Sequence, residues 1–229
     1  MEAESKELEA ARQHALRGEF REAREILEVK HEKLQRQADY WWALAYLQQK
    51  LGDRTAALAS LREILADPDV GPREELRVWT MIRGFGETPP LDLSRRVLGV
   101  VVEAGLGASV VIVAAYADGQ CRFFLSWGGG VIGEDWTDDE KEKAREMVRL
   151  AQELVAEMEP AERAGHRDLP KPGRVQFTFL TPGGSFQGED SVAFLKQWQG
   201  RYAKLFGVSD DLFGMLFKYT QEGETMRQP

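Results

Sequence analysis

The chain has 229 residues, of which 43% are hydrophobic and 10% aromatic, so it can bury a substantial core and is not expected to be disordered. Its formal net charge of -8 argues against nucleic acid as a partner, because nucleic-acid-binding proteins carry basic surfaces that neutralise phosphates. A single cysteine excludes an intramolecular disulfide and a metal site made of several cysteines, and it suits the reducing cytoplasm.

Neither a signal peptide nor a membrane span is indicated. The N-terminal segment MEAESKELEA is acidic and helical in pattern, unlike a secretory signal. The longest strongly apolar stretch, residues 110–117, is far too short to cross a bilayer. We therefore expect a cytoplasmic protein that does not bind membranes.

The first third of the chain contains an internal repeat. A shift of 34 positions superimposes four residues on identical ones: Ala11, Gly18, Ala23 and Leu27 on Ala45, Gly52, Ala57 and Leu61. Each glycine, with Gly86 a further 34 positions on, stands between two helical patterns, where left-handed dihedrals let a helix end and the chain reverse. The alanines allow two helices to approach closely, and the leucines fill the space between neighbouring helical hairpins.

This spacing resembles the tetratricopeptide repeat over roughly residues 3–88. The family's pattern has a large residue early in the first helix, here Trp41, and a proline after the second helix, here Pro68. The sequence departs from it at Glu7, where a large residue is usual, and at Arg54, where the first repeat has an aromatic residue. A third unit is legible only in part, in REELRVWTMIRGFG. A helical bundle without the repeat is the alternative.

The resemblance implies a binding surface for a protein or peptide. In tetratricopeptide stacks, the first helix of each hairpin lines a concave groove. Here that places five residues on the inner face: Arg12, Trp42, Tyr46, Gln49 and Arg83. Aromatic residues and arginine dominate binding energy when a partner buries them. The alternative for Trp42 is packing against the second domain, since two and a half repeats are fewer than normally stand alone.

A domain boundary is predicted at the segment ETPPLDL. Pro89 and Pro90 cannot continue a helix, and each disfavours helix at the residue before it. We therefore expect a helical-hairpin domain over residues 1–88, an α+β domain over 94–221 and a loose tail over 222–229.

The second domain begins with a run of predicted strands. Apolar segments rich in β-branched residues or with alternating apolar positions indicate strands at 97–102, 109–116, 121–126 and 174–180. Asp118-Gly119 and the triple glycine at 128–130 predict chain reversals, so the first strands should form an antiparallel meander of three or four strands. In the segment RVQFTFL, Val175, Phe177 and Phe179 should share one face.

Helices are predicted on either side of the last strand. Thr137, with Glu140 three residues later, has the spacing of a capping box. An apolar stripe at helical spacing follows it: Ala144, Met147, Val148, Ala151, Leu154, Val155 and Met158. After a polar loop at 159–173, two closing helices are expected near 190–206 and 210–220, the second capped by Ser209. The fold class is therefore α+β, a mainly antiparallel sheet backed by helices. The string AAYADGQCRF with GGGVIG also resembles stretches of bacterial proteins, without implying an activity.

The histidines and the cysteine give no sign of catalysis. His14 and His31 have no second ligand at helical spacing, so surface or partly packed positions are expected. His166, beside Asp168 in the polar loop, could orient a general base, but no nucleophile is marked. Cys121 begins a strand, away from any helix N-terminus that could activate its thiol, and adjacent Arg122 should point to the opposite face. Buried packing is therefore expected for Cys121.

The glycine-rich turns and the acidic cluster also have simpler explanations than a ligand site. Gly128-Gly129-Gly130 and Pro182-Gly183-Gly184-Ser185 lack the lysine and hydroxyl of a phosphate-binding loop. The carboxylates Glu134, Asp135, Asp138, Asp139 and Glu140 surround a helix start, where they favour the helix dipole, and their spacing is not that of an EF-hand. No cofactor or metal site is predicted.

Three hypotheses follow from the sequence. The first is a non-enzymatic interaction protein of adaptor, regulatory, toxin-neutralising or defence-associated type, in which the hairpins hold a protein or peptide. The second is a sensor that binds a metabolite or nucleotide in the α+β domain, near Trp127, Asp135 and Trp136. The third is an enzyme that uses His166, Asp168 or the acidic cluster. The first is the hypothesis that the sequence favours, and it leaves the partner and the oligomeric state open.

Overall fold

The computed structural model describes residues 6–34, 38–133, 135–161 and 168–221. The chain divides into two compact units, one of Met1–Val70 with Arg77–Glu87 and one of Gly71–Leu76 with Thr88–Pro229. The first unit consists of helices and the second contains a six-stranded sheet, so the fold class is α+β as predicted. The predicted tail, 222–229, lies outside the described residues.

The helical unit is built from antiparallel hairpins. Its helices are α1 (Lys6–Leu16), α2 (Phe20–Val29), α3 (His31–Leu34), α4 (Ala38–Lys50), α5 (Arg54–Ala66) and α6 (Pro72–Gly84). Helix α1 packs on α2 and α4 on α5 as hairpins, and α2 and α1 also pack on α4. The first turn of α6 falls in the second unit. We call residues 6–66 with 77–87 the hairpin unit.

The three glycines of the repeat end their helices in the same way. Gly18, Gly52 and Gly86 have φ values of 79, 77 and 81°. After each glycine, the next backbone N–H donates to a carbonyl five residues back: Glu19 to His14, Asp53 to Gln48 and Glu87 to Ile82, at 3.0, 2.9 and 3.3 Å. This bond is one half of the Schellman motif, which satisfies the last carbonyls of a helix. The predicted left-handed glycines are therefore confirmed at all three positions.

The other repeated positions form the packing between helices. Ala11, Ala23 and Leu27 are buried, as are their counterparts Ala45, Ala57 and Leu61. Leu27 belongs to a hydrophobic cluster with Leu8, Leu34, Tyr40 and Leu47. A larger residue at the alanine positions would hold paired helices apart, so the small side chains set the helix spacing.

The second unit is a six-stranded antiparallel sheet with helices against it. It contains α7 (Leu91–Ser94), β1 (Gly99–Leu106), β2 (Ser109–Tyr116), β3 (Cys121–Leu125), β4 (Gly130–Ile132), α8 (Asp138–Val155), β5 (Arg174–Thr181), β6 (Gly184–Ser191), α9 (Val192–Lys196) and α10 (Ala203–Gln221). The strand order is β4-β3-β2-β1-β5-β6, and every pair is antiparallel. The predicted meander is therefore β1 to β4, and α7 is a single helical turn within the segment predicted to be a break.

One face of the sheet forms the core with α8 and α10. Val175, Phe177 and Phe179 alternate on that face and are buried, as predicted. Phe177 stacks on Tyr202 with ring centroids 4.8 Å apart, and Phe123 of β3 meets Phe213 of α10 edge-on at 5.3 Å. The predicted apolar stripe of α8 contributes to the same cluster.

Both ends of α8 are capped by side chains. Thr137 Oγ1 accepts from the Glu140 backbone N–H at 3.4 Å, and Glu140 Oε2 accepts from the Thr137 N–H at 2.8 Å, so the predicted capping box is confirmed. At the other end, the Arg95 guanidinium donates to the carbonyls of Val155 and Met158. A cation there also complements the negative end of the helix dipole.

The predicted end of the chain is wrong in three respects. Residues 184–191 form strand β6, which was not predicted, after a two-residue turn at Pro182-Gly183. The expected helix at 190–206 is interrupted, because α9 ends at Lys196 and α10 begins only at Ala203. Ser209 is no cap, since it lies buried within the continuous helix α10.

None of the helices in the described ranges combines the length and the apolar character that a membrane span requires.

Candidate functional site

Helix α4 carries the aromatic residues predicted to bind a partner. Trp42, Tyr46 and Gln49 recur at positions i, i+4 and i+7, so they lie along one face of the helix. Tyr46 is 44% exposed and Gln49 is exposed, while Trp42 is half-buried. These three residues therefore share one face of α4, and we call them the Trp42 face.

Neighbouring side chains hold the rings of the Trp42 face. The guanidinium carbon of Arg77 lies 4.7 Å from the centre of the Trp42 ring, a cation–π distance. Phe20 of α2 meets Tyr46 edge-on, with centroids 6.4 Å apart, and Lys50 Nζ lies 5.4 Å from the same ring. These contacts order the rings without burying Tyr46.

The two predicted arginines lie on other helices. Arg12 is exposed on α1, where its Nη1 lies 3.7 Å from Glu9 Oε2. Arg83 is half-buried on α6 and donates to Thr80 Oγ1 at 3.2 Å. Burial lowers the pKa of the Arg83 guanidinium, which still stays charged at neutral pH.

A second face of α4 borders an open cleft that sequence reasoning did not identify. The cleft has a volume of about 500 Å³ and lies between α2, α4 and α5. Its lining consists of Glu28, Tyr40, Trp41, Leu44, Gln48, Ala56, Ala59, Ser60 and Glu63. Such a volume is within the range of sites that take a small ligand or a few side chains of a partner. We call this feature the hairpin cleft.

The wall of the hairpin cleft is mostly apolar, and two of its polar side chains hydrogen-bond to each other. Ser60 Oγ donates to Gln48 Oε1 at 2.8 Å, and both residues are buried. Tyr40 meets Trp41 edge-on, with centroids 4.9 Å apart. Burial raises the pKa of the Tyr40 phenol, and the Glu28 carboxylate raises it further, so the ring stays neutral. The wall therefore offers aromatic and aliphatic surface to an occupant.

Two carboxylates stand at the rim of the hairpin cleft. Glu28 Oε1 lies 2.6 Å from Arg24 Nε, and the same guanidinium lies 3.6 Å from Asp53. Glu63 is exposed and forms no ion pair within the described ranges of the chain. The rim therefore has a negative charge at Glu63 that an occupant can neutralise.

The residues predicted for a ligand pocket in the second unit have different environments. Trp127 is 61% exposed in the turn between β3 and β4, and Asp135 is exposed. Trp136 is buried and meets Tyr219 of α10 edge-on at 5.8 Å. Its indole Nε1 has no hydrogen-bond partner within the described residues. Trp136 is therefore a core residue, whereas the other two belong to the surface.

Cys121 and the acidic cluster have structural positions. Cys121 is buried, and desolvation, followed by the charges of Glu140 and Asp118, raises its pKa to about 12. The thiol is therefore not poised for nucleophilic attack. Glu140 is buried within the capping box, while Asp138 and Asp139 are exposed.

The remaining predicted chemical residues are dispersed. His14 Nδ1 lies 2.7 Å from Glu19 Oε2 in the first hairpin, and Asp168 is exposed. His166 and Glu134 lie outside the described residues. Among the described residues, no group of three or more His, Cys, Asp and Glu side chains is placed to hold a metal ion.

Comparison with known proteins gives no relative from which a function could be transferred. No protein-family model, curated protein or solved structure matches the chain. A functional assignment therefore has to be argued from the geometry of the described residues.

Proposed function

We propose that the chain is a non-enzymatic protein-interaction protein, of adaptor or regulatory type, whose hairpin unit resembles tetratricopeptide repeats and binds a segment of a partner in the hairpin cleft. The observation that carries the proposal is the cleft itself, an open hollow of about 500 Å³ with an apolar wall and a carboxylate rim. The Trp42 face is the second candidate surface for the same partner.

The chemistry of the wall favours a side chain with an apolar body. Trp41 and Leu44 supply large apolar surfaces, and Ala59 leaves the space above α5 open. Burying apolar surface contributes roughly 25 cal/mol per Å², so one well-placed partner side chain would contribute about 1.5–3 kcal/mol. The hairpin cleft is therefore suited to an anchor residue of a partner.

The rim favours a basic residue beside that anchor. The Glu63 carboxylate forms no ion pair within the described part of the chain, whereas the Glu28 carboxylate is paired with Arg24. A partner lysine or arginine near Glu63 would gain an ion pair of modest strength, because exposed pairs contribute less than about 1 kcal/mol. The ion pair would therefore contribute little to the affinity and would mainly orient the partner.

The test is affinity capture of partners with full-length variants. Ala59→Gln places a longer side chain in the cleft, and Ala66→Gln makes the same change at an exposed alanine of α5 outside it. Trp42→Ala with Tyr46→Ala removes the rings of the other face. We expect Ala59→Gln to weaken capture of a specific partner by at least tenfold and Ala66→Gln to leave it unchanged.

The variants distinguish the two surfaces. Loss of the partner only in the Trp42→Ala/Tyr46→Ala variant would move the binding site from the hairpin cleft to the Trp42 face. A partner that is retained by all three variants would contradict binding by the hairpin unit.

A further inference from the structure

The connection between α9 and α10 exposes two aromatic rings. Phe194 is 42% exposed and Trp198 is 72% exposed. Trp198 has a φ of 58° and is the one non-glycine residue with a positive φ among the described residues. Side chains with a Cβ rarely adopt this conformation, and strained residues of this kind are concentrated at functional sites. The fold thus holds a large ring in solvent on a strained backbone.

Two glycines make room for these rings. A Cβ added to Gly207 of α10 would lie 2.9 Å from the Trp198 indole, so the ring lies directly against the helix there. A Cβ added to Gly200 would lie 2.8 Å from the Phe194 ring. Both rings therefore lie against the protein surface next to a glycine, and their outer surfaces remain exposed.

The same segment is basic in an acidic protein. Residues 192–209 contain Lys196, Arg201 and Lys204 and no aspartate or glutamate, whereas the whole chain has a net charge of -8. Within the described ranges, Lys196 and Lys204 form no ion pair. Arg201 donates to the Leu154 carbonyl at 3.3 Å rather than to a carboxylate.

The nearest acidic residues in sequence lie at the two ends of this segment. Asp190 precedes it and accepts from the Ser191 backbone N–H at 2.8 Å, and Asp210 follows it on α10. Asp190 also lies near the aromatic rings, since its Oδ2 would be 2.9 Å from a Cβ at Gly200. Counted with both end residues, the segment has three cations against two carboxylates and therefore keeps a positive excess of one charge.

We propose that Phe194 and Trp198, with Lys196, Arg201 and Lys204, form a docking surface for an acidic segment of a partner protein that carries an apolar side chain. We call these five residues the aromatic–basic patch. The rings would take the apolar side chain, and the cations would pair with flanking carboxylates. The patch is separate from the hairpin cleft and goes beyond the function proposed for it.

The patch is locally positive, whereas the whole chain is negative. This difference favours a short acidic segment over a membrane or a nucleic acid as the partner. Membranes and nucleic acids present negative charge over tens of ångströms, so they would also face the many carboxylates of a chain with a net charge of -8. A short peptide segment interacts only with charges within about one Debye length, roughly 8 Å at physiological salt. The local positive excess therefore dominates for such a segment.

The test titrates ¹⁵N-labelled full-length protein with a pool of 12-residue peptides, each with a central Phe or Leu flanked by four Glu. Trp198→Asn identifies the Trp198 indole N–H signal by its loss, and asparagine tolerates positive φ, so this variant should fold. We expect the signals of Trp198 and Gly207 to shift on addition of the peptides. Binding should weaken at least tenfold in Trp198→Asn and in Lys196→Glu/Lys204→Glu.

Matched controls keep the result specific. Lys6→Glu/Lys171→Glu makes the same charge change at exposed lysines outside the patch, and it should bind like the wild type. A pool with Lys in place of Glu should cause no shift. The proposal is overturned if the acidic pool shifts neither signal, or if the two lysine double variants weaken binding equally. It is also overturned if phosphatidylserine vesicles or single-stranded oligothymidine bind more tightly than the peptides through Trp198.

Discussion

At the scale of single residues, Cys121 shows how burial controls chemistry in this protein. Its side chain is fully buried in the core cluster of the sheet, at the start of β3. Desolvation is the largest cause of its raised pKa, and the carboxylates of Glu140 and Asp118 add to it. A thiol with a pKa of about 12 is protonated at neutral pH, so its reactivity reports on unfolding.

The raised pKa predicts a loss of stability at high pH. The unfolded thiol ionises near its ordinary pKa of 9.0, whereas the folded thiol ionises at about 12, so the free energy of unfolding falls as pH rises between these values. At pH 10.5 the loss should be about 2 kcal/mol, at 1.36 kcal/mol per pH unit. Denaturant unfolding of wild type and Cys121→Ala at pH 8 and 10.5 measures the difference.

All other titrating groups are common to wild type and Cys121→Ala. Their effect on the free energy of unfolding therefore cancels when the two proteins are compared. Equal loss of stability in wild type and Cys121→Ala would contradict the burial of the thiol. Labelling with iodoacetamide at pH 8 provides an independent check, and the folded protein should react only at the rate at which it unfolds.

At the scale of elements, the glycines that end the repeated helices should differ in substitution cost from a glycine within a helix. Gly52 has φ +77° and open space around an added Cβ, so Gly52→Ala is opposed by backbone conformation alone and should cost about 1 kcal/mol. Gly84, the last residue of α6, also has open space but no positive φ. Gly84→Ala should therefore stabilise by about 0.5 kcal/mol. Thermal or denaturant unfolding measures both changes.

Gly52→Ala and Gly84→Ala add the same methyl group, so opposite signs of their stability changes would show the effect of backbone conformation. Gly52→Asn should fall between Gly52→Ala and wild type, since asparagine tolerates left-handed dihedrals. If both alanine variants stabilised the protein, the left-handed helix ending at Gly52 would be wrong.

The elements with strong periodic patterns were predictable from sequence. Strand β2 occupies 109–116 as predicted, and α8 follows the capping box at Thr137. Strand β1 was predicted two residues early and too short, because Glu103 and Gly105 interrupt its apolar pattern. Pairing with β2 on one side and β5 on the other extends it through these residues.

The C-terminal elements were not predictable because tertiary contacts override local pattern there. Strand β6, GSFQGEDS, has one buried apolar residue, Phe186, and several residues that disfavour strands. A Cβ at Gly188 would lie 2.3 Å from the Tyr202 hydroxyl, so glycine is needed where that ring crosses the strand. The helical spacing of Trp198 and Tyr202 predicted one helix, but left-handed dihedrals at Trp198 and Gly200 break it.

The candidate site was predictable only in part. The spacing of Trp42, Tyr46 and Gln49 places them on one face of α4, which the structure has. The hairpin cleft depends on the distance between α2 and α5 across α4, and a repeat pattern contains no information about that gap. The sequence did contain one indication of the cleft. Trp41, Leu44 and Gln48 are spaced at i, i+3 and i+7, so they form a second face on the same helix.

At the scale of the whole molecule, the described residues include two hydrophobic clusters that are separate from each other. One is formed by α1, α2, α3 and α4, and the other by the sheet with α8 and α10. No residue belongs to both clusters. A cavity made in one cluster should therefore loosen the elements around it before those of the other.

Leu27→Ala tests this expectation. Leu27 is fully buried in the helical cluster, and truncation of a buried leucine costs about 2–5 kcal/mol. Amide hydrogen exchange at neutral pH should become faster in α1, α2 and α4, while the amides of β1 and β5 keep their protection. Phe177→Ala, in the core of the sheet, should produce the converse pattern. Equal acceleration in both units by Leu27→Ala would contradict separate clusters, because it would mean that the chain opens as one cooperative unit.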